Sequence, residues 1–251
     1  MRFKDRVAIV TGAGQGLGKA FANAFAAEGA KVIIAEINEA NAEVVAKEIT
    51  EKGFEAIAVR TDVANEVSIE SMVKVAMSKY GRIDILINNA GLLATIKMKP
   101  FEQITVAEWD NVLSVNLRSM FLCCKYVVPV MKTQKMGKII NLSSGTYLVG
   151  RPFYLHYVAS KAGVVGLTRA LAREVGDWNI NVNAIAPGAT ATGIARDSVT
   201  SDQEKEMIAS RCIKRQEVPG DVVGVVLFLA SEDADFISGQ LLNVDGGIDM
   251  Y

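Results

Sequence analysis

The chain has 251 residues, half of them apolar, with 27 Lys and Arg against 28 Asp and Glu. That is enough for a large core, and the balanced charge argues against a nucleic-acid or anionic-membrane surface, either of which calls for a basic excess. The longest apolar run of note, VVGVVLFLA (222–230), is too short to span a bilayer.

The start, MRFKDRVAIVTGAG, lacks the apolar core and small-residue cleavage site of a signal peptide. VAIVT (7–11) reads as a buried strand, and TGAGQGLG follows it directly. Glycines there permit a tight turn and let the backbone approach a pyrophosphate, whose charge the next helix N-terminus stabilises. Gly12, Gln15, Gly16, Leu17 and Gly18 are the expected cofactor contacts in this turn.

A second strand, KVIIAEI (31–37), carries Glu36 eighteen residues beyond Gly18. A carboxylate at that place accepts from a ribose diol and repels a 2′-phosphate. No Lys or Arg follows it, and Gln15 stands where an arginine would help to hold that phosphate. The cofactor expected is therefore NAD(H), in preference to NADP(H).

Helical and strand patterns then alternate. EANAEVVAKEITEK (39–52) is followed by FEAIAVR (54–60), and SIESMVKVAMSKY (68–80) by IDILIN (83–88). GKIINLS (137–143), INVNAIA (180–186) and GQLLNV (239–244) complete seven strands. Such alternation predicts βαβ crossovers and a parallel sheet with helices on both faces. No linker or repeat divides residues 1–251, so one domain is expected to carry both cofactor and substrate sites. Its polar segment 188–218 suits a flap over the substrate.

Cys123, Cys124 and Cys212 fit neither a metal-binding spacing nor a disulfide framework, which points to the cytoplasm and to no metal. YLHYVASKAG (154–163) begins a helix in which Tyr157 and Lys161 stand four apart, on one face. A phenol with a pKa near about 10 is a poor base at neutral pH. An ammonium about 4 Å away is worth on the order of 4 kcal/mol at an effective dielectric of about 20, which favours the phenolate. Tyr154 has Val158 at the same offset, and His156 has neither an acid partner nor a metal cluster to make it a base. Tyr157 is thus the proton-handling residue expected.

TGAGQGLG, NNAG (88–91), Asn116, INLSS (140–144), YVASK (157–161), APG (186–188) and FISGQLLNVDGG (236–247) occur in one order and spacing. On these motifs the chain, over almost its whole length, resembles the short-chain dehydrogenase/reductase family. The resemblance implies a doubly wound Rossmann-type fold and a catalytic group of Asn116, Ser144, Tyr157 and Lys161. It selects Ser144 over Ser143 by the thirteen-residue spacing to Tyr157, and it gives Asn116 a water-mediated relay to the lysine. It places Asn89, Asp62 and Val63 on the adenine side, with Thr190 and Thr192 beside the nicotinamide. Thr190 stands where the family more often has isoleucine.

Leu93, Thr146, Tyr147 and Phe153 are expected to line the substrate pocket with Ser144 and Tyr157, an apolar bias that suits a hydrophobic secondary alcohol or ketone. The competing reading is a 3-oxoacyl thioester reductase. Relatives that act on acyl-carrier protein usually prefer NADPH and carry docking cations. Here Trp178 takes one such position, while Lys135 keeps a basic group near another. A catalytically silent dinucleotide sensor is a third reading, opposed by the complete tetrad. The resemblance also implies a homotetramer, or a homodimer, with a small-molecule substrate.

Overall fold

The computed structural model describes residues 1–194 and 201–250. Seven strands, β1 (Val7–Thr11), β2 (Lys31–Glu36), β3 (Ala56–Arg60), β4 (Ile85–Asn88), β5 (Gly137–Leu142), β6 (Ile180–Pro187) and β7 (Leu241–Val244), form one parallel sheet. Its order is β3-β2-β1-β4-β5-β6-β7. The first helices are α1 (Gly16–Ala27), α2 (Glu39–Glu51) and α3 (Glu66–Tyr80). Then follow α4 (Val106–Leu113), α5 (Ser119–Gln134), α6 (Thr146–Val149), α7 (Leu155–Val175), α8 (Ser201–Ser210) and α9 (Pro219–Ala230).

Strand side chains alternate between faces, so the sheet has two cores. Ala8 and Val10 pack with Phe21 and Phe25 of α1, Ile49 of α2 and Val226 of α9. Val7 and Ile9 pack with Met72 of α3, Val127 of α5 and Val175 of α7. With both faces covered, the central strands read as unbroken apolar runs. Among the described residues no helix is long and apolar enough to cross a membrane.

The strand order reverses between β1 and β4, which pair from Ala8↔Ile85 to Val10↔Ile87. A crevice outside the carboxyl ends of strands at such a switch point is where open α/β sheets bind ligands. Just below it, Asn88 Nδ2 donates to Asn141 Oδ1 (2.8 Å) and Asn141 Nδ2 to Thr168 Oγ1 (3.0 Å). This satisfied buried chain ties β4, β5 and α7 together under the site.

Candidate active site

The glycine turn is shaped by close approach. Gly12 and Gly16 hold left-handed φ of 64° and 57°, and a Cβ on Gly18 would run into the Gly12 carbonyl. Asn89 Nδ2 donates to the carbonyls of Thr11 (2.8 Å) and Gly12 (3.1 Å), so the NNAG segment braces the turn from β4. Helix α1 begins there with no side-chain cap at Gln15 and no acid in its first turn. Its first N–H groups and dipole are thus left to an anion, and the cradle fits a dinucleotide pyrophosphate.

Glu36 ends β2 facing this turn: Oε2 accepts from Gly14 N (3.1 Å) and Oε1 from Asn38 N (3.1 Å). Two backbone donors thus hold the carboxylate against the glycine turn. Asp62 Oδ1 accepts from Ala64 N (2.9 Å), forming a tight turn after β3, and Val63 is buried within that turn.

The proposed proton machinery converges from three elements. Tyr157 and Lys161 are buried on α7, with the Lys161 Nζ 5.7 Å from the Tyr157 ring centroid. Nζ donates to the Leu142 carbonyl at the end of β5 (2.8 Å), and burial lowers the lysine pKa to about 8. At neutral pH it is still mainly an ammonium. Ser143 Oγ donates to the Lys161 carbonyl (2.8 Å), so it serves the helix. Ser144 Oγ accepts from Thr146 Oγ1 (3.0 Å), and Ser144 lines both cavities described below. Ser143 also lines the smaller cavity, and Ser144 alone of the two lines the larger one.

Asn116 lies in a π-helical turn, Ser114–Arg118, between α4 and α5. Its Oδ1 accepts from Leu92 N (2.7 Å), and its Nδ2 donates to Leu92 O (3.1 Å) and Ser160 Oγ (3.3 Å). The carboxamide thus clamps the loop after β4, and the structure gives it no direct bond to Lys161. An inserted π turn re-aims a side chain, which puts Asn116 here.

A cavity of about 140 Å³ is bounded by Leu17, Asn89, Lys161 and Thr190, and another of about 520 Å³ by Thr146, Arg151, Tyr154 and Met207. The two share Leu93, Ser144, Tyr157, Pro187 and Gly188 as lining, so they meet beside the serine and the tyrosine. Cavity size alone does not identify a site: about 510 Å³ also opens at the amino ends of β4–β6, where Arg6 pairs with Asp84 and Lys138 with Asp235.

Three expected contacts are placed differently. Phe153 is 52 % exposed with a left-handed φ of 66°, and it does not line the larger cavity. Tyr147 on α6 does not line it either. The positive φ at Phe153 turns the chain so that Pro152 and Tyr154 form the wall instead, with the Tyr154 and Tyr157 rings 6.0 Å apart, edge to face. Thr190 lines the smaller cavity, and its hydroxyl donates to Glu217 Oε1 (2.6 Å). Thr192 stays beside the glycine turn, its Cβ 3.6 Å from where a Gly16 Cβ would lie.

Sequence reasoning missed Arg151, Met207, Asp249, Arg211 and Glu217, none of which belongs to a motif. The polar lining of Arg151, Glu206, Asp245 and Asp249 makes the larger cavity less apolar than expected. Burial and the nearby Asp245 raise the Asp249 pKa. His156 is buried with Nδ1 unpartnered, lines neither cavity, and has its pKa lowered by burial. Of the expected flap 188–218, residues 195–200 lie outside the described residues. The described remainder brings α8 to the cavity through Met207.

A family profile described as enoyl-(acyl carrier protein) reductase matches residues 12–249. The chain is 38% identical over 248 residues to a 3-oxoacyl-[acyl-carrier-protein] reductase of Synechocystis sp., covering 98% of each protein. The chain belongs to the short-chain dehydrogenase/reductase family. This short-chain dehydrogenase/reductase is also 36% identical, over 249 residues, to the 3-oxoacyl-[acyl-carrier-protein] reductase FabG of Thermotoga maritima, covering 99% of each. Among solved structures it is similar to levodione reductase, at 36% identity and a TM-score of 0.92 with 98% of each chain covered. It is a nicotinamide-dependent oxidoreductase acting on CH–OH or ketone groups.

Proposed function

We propose that the enzyme reduces a 3-oxoacyl thioester to the 3-hydroxyacyl form. The observation that carries this is the end-to-end match to relatives named for that reaction. It reverses the ranking that the residues alone suggested.

The glycine turn and Glu36 hold the dinucleotide, and bound nicotinamide supplies the hydride. The substrate carbonyl oxygen lies between Tyr157 and Ser144, where the two cavities meet. Tyr157 gives its phenolic proton to that oxygen as charge develops, and the Ser144 hydroxyl donates a second hydrogen bond. The Lys161 ammonium, fixed by the Leu142 carbonyl, stabilises the phenolate left behind. Asn116 holds Leu92 and with it the adjoining Leu93 wall. The tethered Glu36 carboxylate supports NAD(H) over NADP(H).

A second reading, oxidation or reduction of a bulky secondary alcohol or ketone, has its own support. It rests on the likeness to levodione reductase and on Trp178, which lies under Lys132 Nζ at 3.9 Å and takes a position where reductases acting on acyl-carrier protein usually carry a docking cation. Rates of NADH and NADPH oxidation with an acetoacetyl thioester beside alicyclic and aryl-alkyl ketones separate the two. Selective turnover of the thioester supports the first; turnover of the ketones alone overturns it.

One domain carries both sites. A homotetramer or homodimer is supported by exposed apolar residues on and before the α4–α5 rod, including Phe101, Val106 and Phe121. Three free thiols support a cytoplasmic location.

A further inference from the structure

The chain leaves the nicotinamide-side cavity at Gly188 and returns beside it at Glu217, and the two ends meet in a buried polar knot. Thr190 and Glu217 form an isolated parallel bridge, with Ala191 N donating to Glu217 O (2.8 Å). The Glu217 side chain is 5% exposed and that of Arg211 2%, and they approach to 3.6 Å. Glu217 Oε1 accepts the Thr190 hydroxyl at 2.6 Å. Arg211 donates to the carbonyls of Ala189 (3.2 Å) and Arg215 (2.7 Å). The other carboxylate oxygen, Oε2, lies against Gly188, where a Cβ would meet it at 2.6 Å.

We propose that Glu217 is a positioning residue for the coenzyme: it holds residues 188–191 as the wall of the nicotinamide side, with Arg211 as its counter-charge. Apart from the Arg211 bond to the Arg215 carbonyl and the Arg211–Glu217 pair itself, each contact bears on that wall. The hydroxyl of Thr190 donates to Glu217, which ties this cavity-lining residue to the carboxylate. Ala189 is held by Arg211, and Gly188 is pressed by the carboxylate. A threonine at 190 then has a physical reason, since an isoleucine there would leave a buried carboxylate oxygen without its donor. Thr190 lines only the smaller cavity, and Gly188 and Ala189 line the larger one, so dinucleotide binding, free of substrate, is the direct readout.

An ion pair that served stability alone would predict a lower melting temperature with unchanged dinucleotide binding. Positioning predicts weaker binding in protein that is still folded. The inference rests on the coenzyme placement proposed above and is independent of which carbonyl is reduced.

Fluorescence titration of the purified full chain with NADH reads binding apart from turnover. Thr190→Val and Glu217→Ala are expected to weaken Kd about tenfold, and Thr190→Ser to stay within about twofold. The double variant Arg211→Met/Glu217→Gln removes both charges yet keeps a carbonyl acceptor for Thr190. It is expected to bind within about threefold of the unaltered enzyme. If Glu217→Ala does not fold, Thr190→Val and the double variant decide. Unchanged Kd in a folded Thr190→Val overturns the proposal, as does a folded double variant binding tenfold more weakly. An unaltered enzyme that binds neither NADH nor NADPH overturns the coenzyme placement instead.

Discussion

The proposed dinucleotide half of the crevice and the proposed carbonyl half are built by different means. The first is a backbone device: a turn at positive φ, an uncapped helix end and a carboxylate held by two N–H groups. The second is assembled from side chains of β4's loop, α6, α7, the β6 exit, α8 and the carboxyl-terminal turn. A backbone device depends on glycine positions within one βαβ unit, so it is local in sequence. A wall made by six segments depends on where each turn throws its side chain, which is a tertiary outcome. The halves meet at Ser144 and Tyr157, and variants on either side should separate binding from chemistry.

The largest effect is expected at that meeting point. Tyr157→Phe removes the proton and keeps the ring against Tyr154, so kcat should fall by about 10²–10⁴ while the Kd for NADH holds. Stopped-flow turnover beside fluorescence titration checks both. Weaker NADH binding with little loss of kcat would mean that the tyrosine belongs to the dinucleotide half.

Next comes the carboxylate of the other half. Glu36→Ser removes the group expected to repel a 2′-phosphate, so the NADPH-to-NADH ratio of kcat/KM should rise about tenfold. The Gly14 N–H also loses its acceptor, so NADH binding weakens as well. An unchanged ratio would mean that the carboxylate serves the turn and does not read the ribose.

How legible each half was follows from the same division. The seven strands and their parallel arrangement were readable because runs such as VAIVT and KVIIAE are buried on both faces and alternate with amphipathic helices. That Tyr157 and Lys161 share one face of α7 was readable from their i, i+4 spacing. The placement of Phe153 was not, because a left-handed residue there reverses which neighbour faces the cavity, and a bulky residue gives no sign of it. That of Tyr147 was not, because the short helix α6 turns Thr146 and Val149 to the cavity instead. The Thr190–Glu217 bond joins residues 27 apart across the flap, with no periodicity to link them.

A smaller effect concerns the lysine shared by both halves. In the unfolded chain Lys161 keeps its proton up to the ordinary value of 10.5, in the fold only up to about 8. Between those values the unfolded state binds more protons, so this group's contribution to stability rises as pH rises from about 8 to 10.5. The thiols of Cys123 and Cys124, raised by burial, and Tyr80, raised to about 12, oppose it in the alkaline range. The difference between wild type and Lys161→Met isolates the lysine. Across that window wild type should gain on the variant by on the order of 2 kcal/mol in urea unfolding. A flat difference would mean that the buried amine is solvated far better than its surroundings indicate.

The smallest effect tests the corrected wall. Phe153 costs about 1 kcal/mol to hold at positive φ, and half of its surface lies in solvent. Phe153→Gly relieves that strain but gives the unfolded chain more freedom, a loss of roughly 0.5–1 kcal/mol. The two nearly cancel, so the midpoint of unfolding should scarcely move. The backbone carbonyl that accepts from Lys99 N is retained, so the loop keeps its course and Tyr154 its place in the wall. kcat/KM for the best carbonyl substrate should therefore stay within about twofold, as for a surface change. A tenfold loss at unchanged stability would mean that the phenyl ring folds over bound substrate. The carbonyl half would then be completed by the ligand, and the sequence-based placement of Phe153 would be right for the occupied enzyme.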